Sequence, residues 1–127
     1  MEVLIVVPKY TYQNLSTKKN YHYVFPVGMA YIAAVVKRAG YDPDVINLNH
    51  LDGSIADNLN KKLDSKNYDI ICTGHTGIGC PVIEKITEVI RNHHSKPKIL
   101  LGGALITSEP ELMADLLDFD FAIVGEG

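Results

Sequence analysis

Lys98-Ile99-Leu100-Leu101-Gly102-Gly103-Ala104-Leu105-Ile106-Thr107 joins a short apolar run to a pair of glycines. The run has the length and composition of a buried strand, and the glycines read as its exit. Lacking a Cβ, Gly102 and Gly103 let another group approach the backbone closely. Alone, the stretch is most simply a tight turn after a strand. Two further runs end in the same way, however. Asp69-Ile70-Ile71-Cys72-Thr73 opens into Gly74, and Asp120-Phe121-Ala122-Ile123-Val124 into Gly125-Glu126-Gly127. Three glycine-bearing exits point to one shared binding edge.

Working outward, Val3-Leu4-Ile5-Val6-Val7 is unbroken and aliphatic, as a central parallel strand covered on both faces would be. Met29, Ile32, Ala33 and Val36 follow the spacing of a helix stripe facing a core, with Lys37 and Arg38 in its last turn and Gly40 as its stop. Residues 44–48 alternate like an edge strand, and Asn47, Asn49 and His50 lie at its exit. Ser54 caps a second helix carrying Ile55, Leu59 and Leu63. A third helix starts near Pro81 and buries Ile83, Ile86 and Ile90. Ser108-Glu109-Pro110-Glu111 reads as the capped start of a fourth, with Leu112, Met113 and Leu116.

Strands and helices alternate throughout, which predicts an α/β fold: a flavodoxin-like, doubly wound, five-stranded parallel sheet in the order 2-1-3-4-5, with helices on both faces. Ligands of such sheets bind beyond the carboxyl ends of the strands. Residues 9–26 form a long loop on that edge, with Tyr10, Tyr12, Tyr21, His22, Tyr23 and Phe25 giving it an aromatic character.

The 127 residues are expected to form one domain over 1–127. No apolar run approaches the roughly 20 residues that span a bilayer, and no secretion leader is seen, so a cytoplasmic setting without membrane contact is expected. A net charge of −3 argues against a general nucleic-acid binder. Cys72 and Cys80 form neither a zinc knuckle nor a redox pair and read as structural thiols.

Motifs narrow the ligand by exclusion. A phospho-acceptor receiver needs an acidic cluster after strand one, where Val7-Pro8-Lys9 stands. A Walker loop is absent, and Gly74-x-x-Gly77-x-Gly79 does not match the dinucleotide fingerprint. A flavodoxin-like FMN or small-metabolite module stays open as an alternative, with Thr11, Ser16 and Thr17 its scattered hydroxyls.

Five stretches, in order, resemble a known family. They are Pro26-Val27-Gly28-Met29-Ala30-Tyr31-Ile32-Ala33, Lys37-Arg38-Ala39-Gly40-Tyr41, Tyr68-Asp69-Ile70-Ile71, Leu101-Gly102-Gly103-Ala104 and residues 120–127. The chain is similar to the N-terminal cobalamin (B12)-binding domain of B12-dependent radical SAM proteins. That resemblance implies cobalamin as ligand and a downstream radical SAM domain as partner. It further implies a parent enzyme, such as a methyltransferase, whose 4Fe-4S cluster and S-adenosylmethionine lie outside this chain. No Cys-x-x-x-Cys-x-x-Cys is present, so no catalysis is expected of these residues alone. The cofactor-binding residues expected are Thr73, Gly74, His75, Thr76, Gly77, Gly102, Gly103, Gly125, Glu126 and Tyr10, with glycines making room for the nucleotide tail and threonines donating to it. Methionine synthase and the mutases place Asp-x-His-x-x-Gly after strand one to supply a histidine to cobalt. Residues 9–16 contain no histidine, so the lower cobalt position is left unassigned. His75 and His50 stand at predicted strand exits, where a neutral imidazole can ligate a metal; a hydrogen-bonded loop residue is the simpler reading of His75, and His50 lies further from the switch point, so His75 is kept only as a weak candidate for cobalt.

Overall fold

The computed structural model describes residues 1–9 and 26–127. The tyrosine-rich loop, Tyr10 included, falls outside the described residues.

β1 (Val3–Val7) is five consecutive buried aliphatic residues. It pairs in parallel with β2 (Asp44–Asn47) on one side and β3 (Ile70–Gly74) on the other. β4 (Lys98–Gly102) and β5 (Phe121–Ala122) extend the sheet to the order β2-β1-β3-β4-β5. This is the predicted doubly wound arrangement, and it follows from right-handed crossovers linking parallel strands.

The two faces of the sheet are packed unequally. Leu4, Val6, Ile71, Ile99 and Leu101 point into one apolar cluster. Leu59 and Leu63 of α2 (Ile55–Ser65) and Ile83, Ile86 and Ile90 of α3 (Cys80–Asn92) close over it. Ser54 caps α2 as expected, its hydroxyl accepting from the Asp57 N–H at 3.0 Å. Val3, Ile5 and Val7 are also buried but lie outside that cluster; α1 (Val27–Arg38) packs against β1.

α1 departs from the expected stripe. Met29, Ala33 and Val36 are half-buried, Ile32 is exposed, and no residue of the helix is fully buried. Its main packing among the described residues is against β1, and Tyr31 and Val35 on its flanks stay exposed. Phe121, Ile123 and Val124 around β5 are exposed as well.

The expected fourth helix is also corrected. A short α4 (Ala104–Ser108) starts directly after Gly103, and α5 (Pro110–Leu116) follows a break at Glu109. Pro110 crowds the residue before it out of the helical region, and Glu109 takes φ −141° and ψ 63°. Ser108 does not cap the second segment; its hydroxyl donates back to the Ala104 carbonyl. No helix among the described residues is long and apolar enough to cross a membrane.

The amino-terminal edge of the sheet is held by polar ties. The Asp44 carboxylate accepts from the Tyr68 hydroxyl at 2.6 Å and lies near Lys62 and Lys66. Asp120 fixes the start of β5: its carboxylate accepts from Lys98 Nζ at 2.8 Å and the Ile99 N–H at 2.9 Å, and pairs with Arg91 at 2.9 Å. Lys98, foremost, with the Ile99 amide and Arg91, holds the Asp120 carboxyl down at about 2.

A depressed carboxyl contributes stability that is present above its unfolded value and is lost as pH falls toward its folded value. Denaturant unfolding should therefore show stability dropping by about 1–2 kcal/mol between roughly pH 4 and pH 2 on this account. Asp120→Asn should flatten that part of the profile; an unchanged slope would remove Asp120 from the account.

Candidate functional site

Parallel pairing brings the exits of β3 and β4 side by side, with Gly74 opposite Gly102. The contact there is closer than any side chain would allow. A Cβ on Gly74 would sit 2.3 Å from the Gly102 carbonyl oxygen. The absent side chain of Gly74 is thus filled by neighbouring backbone, and this corrects the expectation that it makes room for a ligand. Gly103 follows at φ +84°, a region that favours glycine, and a Cβ there would press on the His75 carbonyl oxygen at 3.2 Å. From that turn α4 begins, and the Leu105 N–H donates to the His75 carbonyl at 2.8 Å.

Gly102 behaves differently. A Cβ placed on it, or on Gly77, would meet nothing within 4 Å. Of the glycines predicted for the site, these two at the β3 and β4 exits face open space, while Gly74 and Gly103 hold the exits together.

His75 is drawn into its own loop. Its imidazole is 9% exposed and lies against Gly79, where a Cβ would come within 2.1 Å of the ring. Nδ1 accepts from the Thr76 N–H at 2.8 Å, which leaves the ring proton on Nε2 in the neutral form. Burial lowers its pKa from the ordinary imidazole value, with the Thr76 carbonyl, 3.3 Å from Nδ1, opposing in part. The ring is neutral at neutral pH.

The threonines divide as well. The Thr73 hydroxyl donates to the Val6 carbonyl at 2.9 Å and is buried, so its proton is spent tying β3 to β1 and not on a ligand. Thr76 is exposed, with its hydroxyl 3.1 Å from His75 Nδ1.

A residue that sequence reading passed over joins the third exit. The Thr107 hydroxyl donates to the Gly103 carbonyl at 2.9 Å and accepts from the Gly125 N–H at 3.0 Å. Gly125 takes φ +88°, and Glu126 beyond it is exposed. The three exits are thereby fastened to one another: β3 to β4 through Gly74 and Leu105, β4 to β5 through Thr107. No pattern in the sequence marked Thr107, because the partner that joins it to the third exit, Gly125, is distant in the chain.

At the β2 exit, Asn47 accepts from the Asn49 N–H at 3.1 Å, and Asn49 Nδ2 donates to the Pro8 carbonyl at 2.8 Å. This fixes the end of β2 against the end of β1.

The edge so built is electrically quiet. Residues 73–77 and 102–107 carry no formal charge while His75 is neutral. The Leu105 amide, an N–H of the kind that would cradle a phosphate, is already used by His75. Such an edge suits a large ligand rich in amides better than a compact phosphate. The B12 binding domain family matches residues 17–127. The chain belongs to the B12-binding domain family. Cobalamin is accordingly its ligand, and the FMN alternative is not favoured. No curated protein matches the chain.

Cobalamin fits what the carboxyl edge of this B12-binding domain presents: an open side-chain position at Gly102, a second at Gly77 and an exposed hydroxyl at Thr76. The geometry separates glycines that shape the exits from glycines that line space. Gly74→Ala should destabilise the fold by about 1–3 kcal/mol through overpacking, read from urea midpoints. Gly102→Ala should leave the midpoint within about 0.5 kcal/mol, as a substitution meeting no neighbour does. Equal losses at the two positions would contradict this division.

Proposed function

We propose that this B12-binding domain holds cobalamin across the exits of β3, β4 and β5, and serves as the non-catalytic cofactor module of a longer radical SAM enzyme, such as a methyltransferase. The observation that carries the binding edge is Gly102: it stands between the other two exits, and its side-chain position is open. The radical SAM partner, its 4Fe-4S cluster and its S-adenosylmethionine rest on the motif resemblance described above. The exposed apolar residues Tyr31, Val35, Phe121, Ile123 and Val124 support a further domain seated on the α1 side. A cytoplasmic setting belongs to the same proposal and is supported by two cysteines that remain free thiols.

When bound, cobalamin supplies redox-active cobalt chemistry that no side chain offers. The residues of this chain bind and orient it. In this reading Gly102 and Gly77 give the tail room, and Thr76 offers a hydroxyl. Gly74, Gly103, Thr73 and Thr107 hold the strand ends in place, while Gly125 and Glu126 form the rim. Tyr10, outside the described residues, is kept as a proposed cofactor contact. His75 acts as the anchor of the β3 exit, since ligating cobalt would require its imidazole to leave Gly79 or give up the Thr76 hydrogen bond.

Mixing the protein with hydroxocobalamin and separating it by gel filtration tests the proposal. The protein peak should carry the corrin absorbance. Gly102→Val should lose it while keeping the far-ultraviolet circular dichroism of the wild type. A colourless wild-type peak would overturn cobalamin binding, and full retention by the valine variant would move the tail away from Gly102. His75→Ala should leave the visible spectrum of any retained cobalamin unchanged; a shifted spectrum would restore His75 as the cobalt ligand.

A further inference from the structure

At the opposite edge of the sheet, away from the glycine exits, the ends of α2 and α3 meet. Asp64 lies in the last turn of α2, and His93 and His94 follow directly on the last residue of α3. One carboxylate oxygen of Asp64 and one ring nitrogen from each histidine all lie within 4.8 Å of one another. His93 is buried at 7% exposure, while Asp64 and His94 are exposed. We propose that Asp64, His93 and His94 form a Zn2+ site that pins the carboxyl ends of α2 and α3 together.

The donor set matches the ion. Two imidazoles and a carboxylate are ligands that Zn2+ takes in tetrahedral sites, with water able to complete the fourth position. Ligand atoms in such a site stand roughly 3.3 Å apart, given bonds of about 2.0–2.1 Å. His93 Nε2 and Asp64 Oδ1 are already 3.0 Å apart. The remaining closure falls to His94 and Asp64, both on the surface and free to change rotamer. The rings of His93 and His94 are 4.2 Å apart between centroids.

The surroundings of His93 serve both states of the site. Without metal, Nδ1 accepts from the Ser95 N–H at 3.3 Å, and Nε2 carries the proton and donates to Asp64. With Zn2+ on Nε2, that proton moves to Nδ1, where the Ser95 hydroxyl, 2.7 Å away, accepts it. The proton count of the ring is unchanged. A hydroxyl behind a ligating imidazole fixes its tautomer and ring orientation. Field and position agree with the donors, because two helices of eleven and thirteen residues direct their negative carboxyl ends at this point. The site stands about one strand length, some 15 Å, from the cobalamin edge, so it is independent of that reading.

Calorimetric titration of the metal-free protein with Zn2+ alone tests the proposal. Wild type should bind one ion and melt at higher temperature in its presence. His94→Ala and Asp64→Asn alter exposed residues; each should keep the wild-type circular dichroism, weaken the binding at least tenfold and lose the thermal gain. In the imidazole 15N spectrum, Zn2+ should convert His93 from the Nε2–H to the Nδ1–H form. Undiminished binding by both variants, no binding at millimolar Zn2+, or an unmoved His93 tautomer would each overturn the site. A change in cobalamin retention has no bearing on these outcomes.

Discussion

The carbonyl of Gly102 occupies the place where a side chain on Gly74 would begin, and the carboxyl edge of the molecule is arranged around that contact. Strands in parallel register bring the two residues opposite one another. Because Gly74 has no Cβ, the backbones close up, and the turn at Gly103 sends α4 back against the β3 exit. The amide of Leu105 then reaches the His75 carbonyl, and Thr107, one helical turn on from Gly103, reaches the end of β5. A side chain at Gly74 would separate the exits and remove the reason for each later contact.

The same contact sorts the polar groups of the edge into two kinds. Thr73 and the imidazole of His75 are turned inward and bonded to their own scaffold, and burial keeps the histidine neutral. Gly102, Gly77 and Thr76 are turned outward. An edge whose β3 and β4 loops carry no formal charge, and whose Leu105 amide is already bonded, is poorly suited to gripping a phosphate. It is better suited to a broad ligand held by many weak contacts, as a corrinoid is. The charged residues are instead concentrated at the amino-terminal edge, where Asp44, Asp120, Lys66, Lys98 and Arg91 tie strand starts together. The two edges have separate work: ion pairs hold one, and glycine packing opens the other.

Three expectations failed, each at a point that spacing along the chain does not report. The α1 stripe was read as buried because its spacing is helical and apolar, yet spacing reports only which side a helix prefers, not how deeply a neighbour covers it. Ser108 was read as a cap because its spacing to Glu111 suits one. Pro110 instead broke the helix at Glu109, and the Ser108 hydroxyl found the Ala104 carbonyl first. Gly74 was read as space because a glycine at a strand exit looks the same whether ligand or backbone fills it. At Gly74 a partner distant in the chain decided the use of a local pattern, whereas at Ser108 near neighbours did.

The sequence by itself determined the alternation of strands and helices, the strand order and the residues of the main core, because aliphatic runs and the 3.6-residue spacing of Ile83, Ile86 and Ile90 depend only on neighbours along the chain. It also placed the glycine exits on one edge, since parallel strands all end on the same side. Only the tertiary structure decided which glycines are filled and which are open, that Thr107 joins two exits, and that Asp64 meets His93 across 29 positions. Those outcomes depend on distances between segments far apart in the chain, and such distances are set by how helices settle on the sheet, which residue type and spacing do not encode.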